Sequence, residues 1–424
     1  MKPDGETNLQ TRVLGDEGSF PTNLNSHSFK FCGENYIFDG DSGGLFVVGN
    51  KSLPPMQTSS RKKRQKNFIC EPMMRSLTLF VAEGCNLRCK YCYEGVQDRR
   101  NMPLDTAMKA VEYLSEHAVQ GSMLGIEFFG GEPLLAYGLI EQIVRYCSSK
   151  QNFKYRFSLT TNGTLLTPEK FDLLGRPDFF VSVSLDGPKE IHDGQRRTRS
   201  GKPTHCRIIR NIRQFQQEGK RIGARATWLP GSGLGIVELH KYLLDMGFQS
   251  VRVEPAYSDF RDLSDYQEWE SQVHSLITWV SSLADEGRYE TIRKLSYSWS
   301  VLKRIHFAAK RCLICATKPT KLAVNVDGDV YACHRLAFDG NYSLGSLHTY
   351  IELRPTFVWE IDASPCTCCW AKSLCLGGCP VSGLGNYFGR GKVFCESNKK
   401  IYESWLKLYV SIYKSGKIRL LFRQ

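Results

Sequence analysis

Between about residues 75 and 290, short apolar stretches alternate with longer amphipathic ones, and this alternation constrains the fold most strongly. Within one of the longer stretches, Leu139, Ile143 and Cys147 recur at helical spacing. Repeated strand–helix units of this size predict an α/β fold with a parallel sheet and right-handed crossovers. Six units fit a partial (β/α)6, TIM-like barrel better than a closed barrel of eight. The predicted strands are Leu77–Val81, Ile126–Phe129, Arg156–Thr160, Phe180–Leu185, Gly223–Trp228 and Val251–Glu254. The predicted helices are 105–119, 135–149, 168–174, 204–219, 235–246 and 264–286.

Polar motifs follow the first four predicted strands at the point where each strand ends. A cysteine loop follows the first strand, Gly130-Gly131-Glu132-Pro133 follows the second, and Thr161-Asn162-Gly163-Thr164 follows the third. Ser184 and Asp186 end the fourth. Turn chemistry explains any one of these motifs. Because the carboxyl ends of barrel strands share one face, the four together predict an active site there.

The cysteine loop has the spacing CxxxCxxC, formed by Cys85, Cys89 and Cys92. Three thiolates this close together can hold three irons of a [4Fe–4S] cube, which leaves the fourth iron without a protein ligand. An open iron can bind a substrate or cofactor, as the open position of a catalytic zinc site does. A zinc loop or a set of core cysteines is the alternative interpretation.

This spacing, with the aromatic Tyr91 just before the third cysteine, resembles the signature of the radical S-adenosylmethionine (radical SAM) superfamily. The resemblance implies that S-adenosylmethionine chelates the fourth iron and is cleaved to a 5′-deoxyadenosyl radical, which abstracts hydrogen. Cys85, Cys89 and Cys92 would then be catalytic as well as metal-binding.

The other polar motifs also resemble radical SAM motifs. The turn at Gly130 resembles the GGE motif, which implies that Glu132 helps to receive the ammonium of the methionine moiety. The stretch from Ser182 to Arg196 resembles SxDGP…HDxxR, and Arg196 would pair with the cofactor carboxylate or serve as a loop salt bridge. The predicted cofactor-binding residues are Tyr91, Gly130, Gly131, Glu132, Pro133, Thr161, Asn162, Ser184, Asp186 and Arg196.

A second cysteine cluster lies in the last third of the chain, with the spacings CxxC-x12-G-x4-C and then Cx2Cx5Cx3C. It resembles the SPASM domain, an auxiliary-cluster extension of many peptide-modifying radical SAM enzymes. The family's crossed ligation implies two further [4Fe–4S] clusters. Cys312, Cys315, Cys333 and Cys379 would hold the first, and Cys366, Cys369, Cys375 and Cys395 would hold the second. If only one of the first pair ligates, that cluster has an open iron. A zinc ribbon is the alternative.

The chain therefore divides into three predicted regions: an N-terminal segment with a basic linker (1–72), the barrel (73–305) and the SPASM domain (306–424). Alternating residues and turn signals in the first region predict a β-hairpin in a small α+β domain. The resemblance to peptide-modifying radical SAM enzymes implies that such a domain binds a leader peptide by strand addition; a simple covering extension is equally compatible. The basic run from Arg61 to Lys66 is interpreted as a solvated linker or as a docking patch.

Composition excludes several other classes. No apolar run reaches the length of a membrane span, and the N-terminus lacks the apolar stretch of a signal peptide. A cytoplasmic location is expected, where the clustered ones among the 16 cysteines are interpreted as metal ligands rather than disulfides. The net charge of +13 suits an acidic partner, but the sequence contains no recognisable nucleic-acid module.

The resemblance covers roughly residues 75–400 and implies a maturase that installs a thioether, carbon–carbon or ether cross-link in a ribosomal precursor peptide. It also implies a flavodoxin or ferredoxin as electron donor. Alternatives are an anaerobic sulfatase maturase, a peptide epimerase, or a scaffold without S-adenosylmethionine cleavage. Sulfatase maturases carry an Asp where this chain has His334, after Cys333; His334 is a candidate base.

Overall fold

The structure, a computed structural model, describes residues 25–48, 74–94, 100–307, 320–353, 368–375 and 392–423. The strands of these residues are, in chain order, β1 (Ser26–Phe31), β2 (Glu34–Asp39), β3 (Gly44–Val48), β4 (Ser76–Ala82), β5 (Leu87–Cys89), β6 (Met123–Gly130), β7 (Lys154–Thr161), β8 (Phe179–Ser184), β9 (Arg196–Thr198), β10 (Ile222–Trp228), β11 (Val251–Pro255), β12 (Lys321–Val324), β13 (Asp329–Tyr331) and β14 (Ser343–Ser346). The helices are α1 (Leu104–Glu116), α2 (Tyr137–Ser149), α3 (Phe171–Leu174), α4 (Lys189–Gln195), α5 (His205–Gln217), α6 (Ile236–Asp245), α7 (Leu263–Asp285), α8 (Tyr289–Lys294), α9 (Ser296–His306), α10 (Lys372–Cys375), α11 (Lys392–Lys414) and α12 (Ile418–Phe422).

The predicted six-stranded partial barrel is confirmed. Strands β4, β6, β7, β8, β10 and β11 are neighbours in that order, and every adjacent pair is parallel. Each connection between consecutive barrel strands contains one or more helices, as parallel strands require. Both faces of a parallel sheet must be covered by helices. The strands are therefore apolar and the helices amphipathic, and this pattern allowed both to be predicted from the sequence.

Alternation along the strands divides the core from the barrel interior. On β6, Ile126 and Phe128 are fully buried, whereas Glu127 and Phe129, which alternate with them, are only half-buried and point the opposite way. Thr78 and Phe80 stand opposite these two residues on β4. The interior face of the barrel is therefore polar and aromatic, and the outer face packs apolar side chains against the helices.

The C-terminal third joins the barrel sheet directly. Strand β12 pairs in parallel with β4, in the register Lys321 to Ser76, and β13 and β14 follow in antiparallel order. The sequence did not predict this, because a four-residue strand carries too little periodicity to be distinguished from a loop. The proposed division after residue 305 lies at the end of α9 and stays a prediction.

Residues 25–48 form a three-stranded antiparallel sheet with the order β1, β2, β3. The predicted hairpin is thus confirmed, and the described part of this region is entirely β. Tyr36 and Phe38 on the central strand are fully buried and contribute to the same core as the barrel. The basic run at 61–66 lies outside the described residues.

Helix α11 contacts the three-stranded N-terminal sheet. It packs along α7 and α9, and its Trp405 and Tyr409 are fully buried. Its Glu403 lies 2.8 Å from Nε2 of His27 on β1, and its Lys414 pairs with Glu34 at 2.7 Å. In the described ranges, no helix has the length and apolarity needed to cross a membrane.

Trp370 anchors the N-terminal sheet. Its ring stacks on His27 with centroids 4.1 Å apart and meets Phe38 edge-on at 6.2 Å. An aromatic pair contributes about 0.5–1.5 kcal/mol beyond its buried area. We therefore expect Trp370→Ala to raise the hydrogen-exchange rates of β1–β3 amides by about tenfold. Trp279→Ala, which removes a ring on α7 that lies under Lys241, is the control and should leave those amides unchanged. Equal exchange in both variants would contradict this anchoring role.

Candidate active site

A two-stranded clamp holds the cysteine loop at the carboxyl end of the barrel. The loop leaves β4 at Ala82, and its short strand β5 pairs antiparallel with β9, so that Cys89 stands opposite Arg196. The N–H of Lys90 donates to the carbonyl of Gln195 at 3.0 Å. The sequence placed Cys85, Cys89 and Cys92 in one loop but missed this pairing, because three-residue strands leave no periodic signal.

Hydrogen-bond donors surround two of the three sulfurs. The Leu87 N–H lies 3.4 Å from Sγ of Cys85, Nδ2 of Asn162 lies 3.7 Å from the same sulfur, and Nη1 of Arg196 lies 3.7 Å from Sγ of Cys89. Burial raises the pKa of the Cys85 thiol to about 12 and also raises that of Cys89. Such thiols stay protonated at neutral pH unless a metal displaces the proton. Donors aimed at sulfur match the hydrogen bonding that tunes iron–sulfur clusters, so the loop fits a [4Fe–4S] group.

A buried network links the cysteine loop to the end of β8. Asp186 is 1% exposed and accepts hydrogen bonds from the Tyr91 hydroxyl, from Nε of Arg196 at 2.8 Å and from the Thr227 N–H at 2.9 Å. The Arg196 guanidinium lies 5.2 Å from the centre of the Tyr91 ring. Asp186 and Arg196 therefore form a buried ion pair that fixes the loop, and Nη1 of Arg196 extends this network to Cys89.

The glycines of the predicted turn allow β6 to approach the cysteine loop. A Cβ on Gly130 would lie 1.9 Å from the Ala82 carbonyl oxygen, and one on Gly131 would lie 2.5 Å from the carbonyl oxygens of Glu83 and Gly84. Gly130 also has a φ of +123°, which residues with a Cβ rarely adopt. These glycines thus serve backbone contact between two loops, and Pro133 begins the short 3-10 helix that follows.

We expect Gly130→Ala to destabilise the protein by about 2–3 kcal/mol, because the strained φ and the overlap with Ala82 cannot both be relieved. Gly138→Ala is the matched control. Gly138 lies in α2, and a Cβ added there would meet no atom within 4 Å, so this change should be neutral or stabilising by up to about 1 kcal/mol. Anaerobic thermal unfolding of both variants measures the difference; equal melting temperatures would contradict the expectation.

Glu132 is fully buried, and its carboxylate already has three donors. It accepts from the Leu134 N–H at 3.0 Å, the Thr161 hydroxyl at 2.7 Å and the Asn162 N–H at 2.6 Å. Burial raises its pKa and these hydrogen bonds lower it, with burial the larger effect. The carboxylate therefore ties the β6 turn to the end of β7. An ionised carboxylate offers about four lone pairs, so one remains for an ammonium group. The contact of Glu132 with such a group stays a prediction.

The remaining polar residues lie where the sequence placed them. Asn162 donates to Oδ1 of Asn86 at 2.8 Å and accepts from Thr164, which connects the end of β7 to the cysteine loop. Thr161 contacts Glu132, and Ser184 ends β8 at the same edge of the sheet. The structure therefore gathers the four predicted strand-end motifs at one face. Their contacts with S-adenosylmethionine stay predictions.

Cys333 and His334 lie against the interior of the barrel. Cys333 packs beside the buried cluster of Phe80, Tyr331 and Leu336, and the His334 ring lies 4.8 Å from the Phe129 ring. Burial lowers the pKa of His334 to about 4, so its ring is neutral at physiological pH and can accept a proton. The candidate base and a candidate auxiliary-cluster ligand thus lie against the interior face of the barrel, and Arg335, next to His334, lies over the ring of Tyr93, which follows Cys92.

Sequence reasoning missed four charged or polar residues of this interior. Arg225 on β10 lies 3.6 Å from Glu254 on β11, and Arg335 lies 5.2 Å from the ring of Tyr93. Glu94 is buried next to the loop, and burial raises its pKa to about 7, with the Glu132 charge adding to the effect. Polar residues at inward positions of otherwise apolar strands were the signal that could have identified Arg225 and Glu254.

Three ligands predicted for the second auxiliary cluster are described: Cys369, Cys375 and Cys395. Hydrogen bonding to Glu396 raises the pKa of Lys399, and the nearby Cys369 and Cys395 add to this effect. Cys312, Cys315, Cys366 and Cys379 lie outside the described residues. Within the described ranges, no three His, Cys, Asp or Glu side chains converge on a point that could hold one metal ion. A cluster does not need that convergence, because each iron of the cube takes its own cysteine.

Comparison with known sequences identifies related proteins. A family model described as the radical SAM superfamily matches residues 79–243. An uncharacterized protein of Methanocaldococcus jannaschii is 31% identical over 179 residues, which are 42% of this chain and 61% of that protein, or less than two thirds of its length. The cysteine-type anaerobic sulfatase-maturating enzyme of Clostridium novyi is 25% identical over 361 residues, which cover 78% of this chain and 95% of that enzyme.

Two solved structures share the fold. Native anSMEcpe with bound AdoMet and Kp18Cys peptide aligns with a TM-score of 0.66 and 21% identity, covering 80% of this chain and 99% of that chain. Streptococcus suis SuiB bound to the precursor peptide SuiA aligns with a TM-score of 0.53 and 17% identity, covering 76% of each chain. At these identities the likeness establishes a common fold.

Proposed function

We propose that this chain, a radical SAM enzyme related to anaerobic sulfatase-maturating enzymes and to SuiB, abstracts a hydrogen atom from a side chain of a peptide substrate. One observation carries the proposal: Cys333 and His334 pack against Phe80 and Phe129 of the barrel interior, and the adjacent Arg335 lies over Tyr93 at the end of the cysteine loop. A substrate side chain placed there would lie between the radical source and a proton acceptor.

The residues of the chain would divide the work as follows. Cys85, Cys89 and Cys92 would hold the cluster whose complex with S-adenosylmethionine supplies the 5′-deoxyadenosyl radical when bound. The Asp186–Arg196 pair and Tyr91 keep the loop in place. His334 is neutral and would accept the proton that an oxidised substrate radical releases. The half-buried Phe129 and the buried Phe80 would exclude water from the radical.

The finer proposal is a cross-link in a ribosomally made precursor peptide, as a thioether, carbon–carbon or ether bond. The SuiB structure contains a precursor peptide, and the three-stranded N-terminal sheet offers strand edges to which a leader could add. Forming the bond removes two hydrogens, so one further electron must leave the substrate. We propose two auxiliary clusters in the C-terminal third as its acceptors, and a flavodoxin or ferredoxin as the external donor.

A second candidate is the oxidation of a sulfatase Cys or Ser residue. The coverage of the Clostridium novyi enzyme, 95% of its length, favours it. His334 would then take the place of the Asp that sulfatase maturases carry after this cysteine. The position of His334 at the barrel interior is compatible with either reaction.

Anaerobic co-expression with a short peptide encoded beside the gene tests the proposal by mass spectrometry. A loss of two hydrogens without a hydrazide-reactive aldehyde would support the cross-link, and fragmentation would then locate the bond. An aldehyde on a sulfatase peptide would support the second candidate. An unchanged mass with deuterium uptake at an α-carbon would instead indicate epimerisation and contradict both.

A further inference from the structure

Arg304 occupies the junction of three helices near the second auxiliary site. It lies in the last turn of α9, its Nη1 donates to the carbonyl of Leu374 on α10, and its guanidinium lies 5.9 Å from the ring of Tyr402 on α11. Leu374 immediately precedes Cys375, and α11 also carries Cys395. Arg304 thus touches both helices that supply predicted ligands of this cluster.

The charge of Arg304 has no anionic partner among the described residues. None of the ion pairs formed within those ranges includes it. Its Nε is shielded from solvent and has no hydrogen-bond acceptor there. Arg304 is partly buried, and a partly shielded cation without a counter-charge is unfavourable because burial removes water that would otherwise solvate the charge. By contrast, Lys399 near Cys369 and Cys395 is paired with Glu396 at 3.1 Å.

The other described groups around Arg304 do not supply a negative charge. Its aromatic neighbour Tyr402 and the nearby Tyr297 carry phenols, which are neutral at physiological pH. Cys375 directly follows Leu374, whose carbonyl accepts the hydrogen bond from Arg304, so the Cys375 residue lies close to Arg304. A thiolate-ligated iron–sulfur cluster at Cys375 would be an anion at this position.

We infer that Arg304 is the counter-charge of the second auxiliary cluster and raises its reduction potential. The inference rests on the proposed cofactor content, in which Cys369, Cys375 and Cys395 are ligands. A nearby positive charge stabilises the reduced cluster more than the oxidised one, because reduction adds negative charge. Arg304 is a positioning residue in this role: it acts on the cluster and touches no substrate.

The test is a redox titration of the auxiliary clusters, followed by electron paramagnetic resonance. The Cys85→Ala, Cys89→Ala, Cys92→Ala protein removes the first cluster, so the remaining signals come from the C-terminal third. In this background we expect Arg304→Gln to lower the midpoint potential of one cluster and leave the other unchanged. The expected shift is a tenfold change in the ratio of reduced to oxidised cluster, or about 59 mV for one electron.

Two further variants separate charge from packing. Arg304→Lys keeps the charge and should leave the potential near that of the parent. Lys303→Gln removes the adjacent positive charge, which lies over the Trp299 ring, and should have no effect. Equal shifts in Arg304→Gln and Arg304→Lys, or no shift in either, would overturn the inference while iron content shows the clusters intact. A triple cysteine variant without iron would overturn the proposed auxiliary clusters themselves.

Discussion

The combined change Cys85→Ala, Cys89→Ala, Cys92→Ala is expected to reduce 5′-deoxyadenosine formation to the rate measured without protein. The three cysteines are the protein ligands that the loop offers for the first cluster, and donors already surround Sγ of Cys85 and Cys89. Without the cluster, no electron reaches the sulfonium. Anaerobic incubation with S-adenosylmethionine and dithionite, followed by chromatography, gives the rate.

Iron content distinguishes this loss from general misfolding. If the proposed three clusters are present, the triple variant should keep about two thirds of its iron. Cys206→Ala is the matched control, because Cys206 is an exposed cysteine on α5, and it should keep full activity. Cleavage that survives the triple change would show that the radical source had been assigned to the wrong residues.

Arg196→Gln is expected to lower the free energy of unfolding by about 3–5 kcal/mol, because it leaves a buried carboxylate without its counter-charge. Asp186 is 1% exposed and would keep only the neutral donors Tyr91 and Thr227. The change also removes the N–H that faces Cys89, so the cysteine loop should lose iron more readily. Anaerobic thermal unfolding and the rate of iron release to a chelator measure the two effects.

Arg176→Gln provides the comparison. Arg176 pairs with Asp178 at 2.7 Å, but both side chains are about one third exposed. Solvent-exposed pairs contribute about 0–1 kcal/mol, so this variant should melt close to the parent. If the two arginine variants have the same melting temperature, the Asp186–Arg196 pair does not stabilise the loop as its burial indicates.

The barrel was predictable because its signals are local and repeated. Strands such as β6 carry alternating apolar residues that face the helices. A polar motif follows directly at the end of each strand: the glycine turn at the end of β6, and Thr161 and Asn162 at the end of β7. The first cysteine loop was equally clear, since its three residues lie within one short segment.

The remaining features depend on contacts between distant segments. The pairing of β5 with β9 brings Cys89 opposite Arg196, 107 residues later in the chain. Neither three-residue strand has a sequence pattern that predicts this pairing. The hydrogen bonds that Thr161 and Asn162 donate to the Glu132 carboxylate are likewise tertiary contacts. The contacts of Arg304 with Leu374 and Tyr402 likewise follow from the packing of α9 against α10 and α11. Sequence spacing describes one segment at a time and does not predict which distant segments contact each other.

The parallel pairing of β12 with β4 bears on how this protein could be divided. Removing everything after α9 would leave β4, whose Leu77, Leu79 and Val81 are fully buried, as an edge strand paired on one side only, with β6. Exposed apolar edges template aggregation. The barrel is therefore not an exchangeable module: a chimera that receives its C-terminal third from another enzyme must also receive a strand that fits this edge.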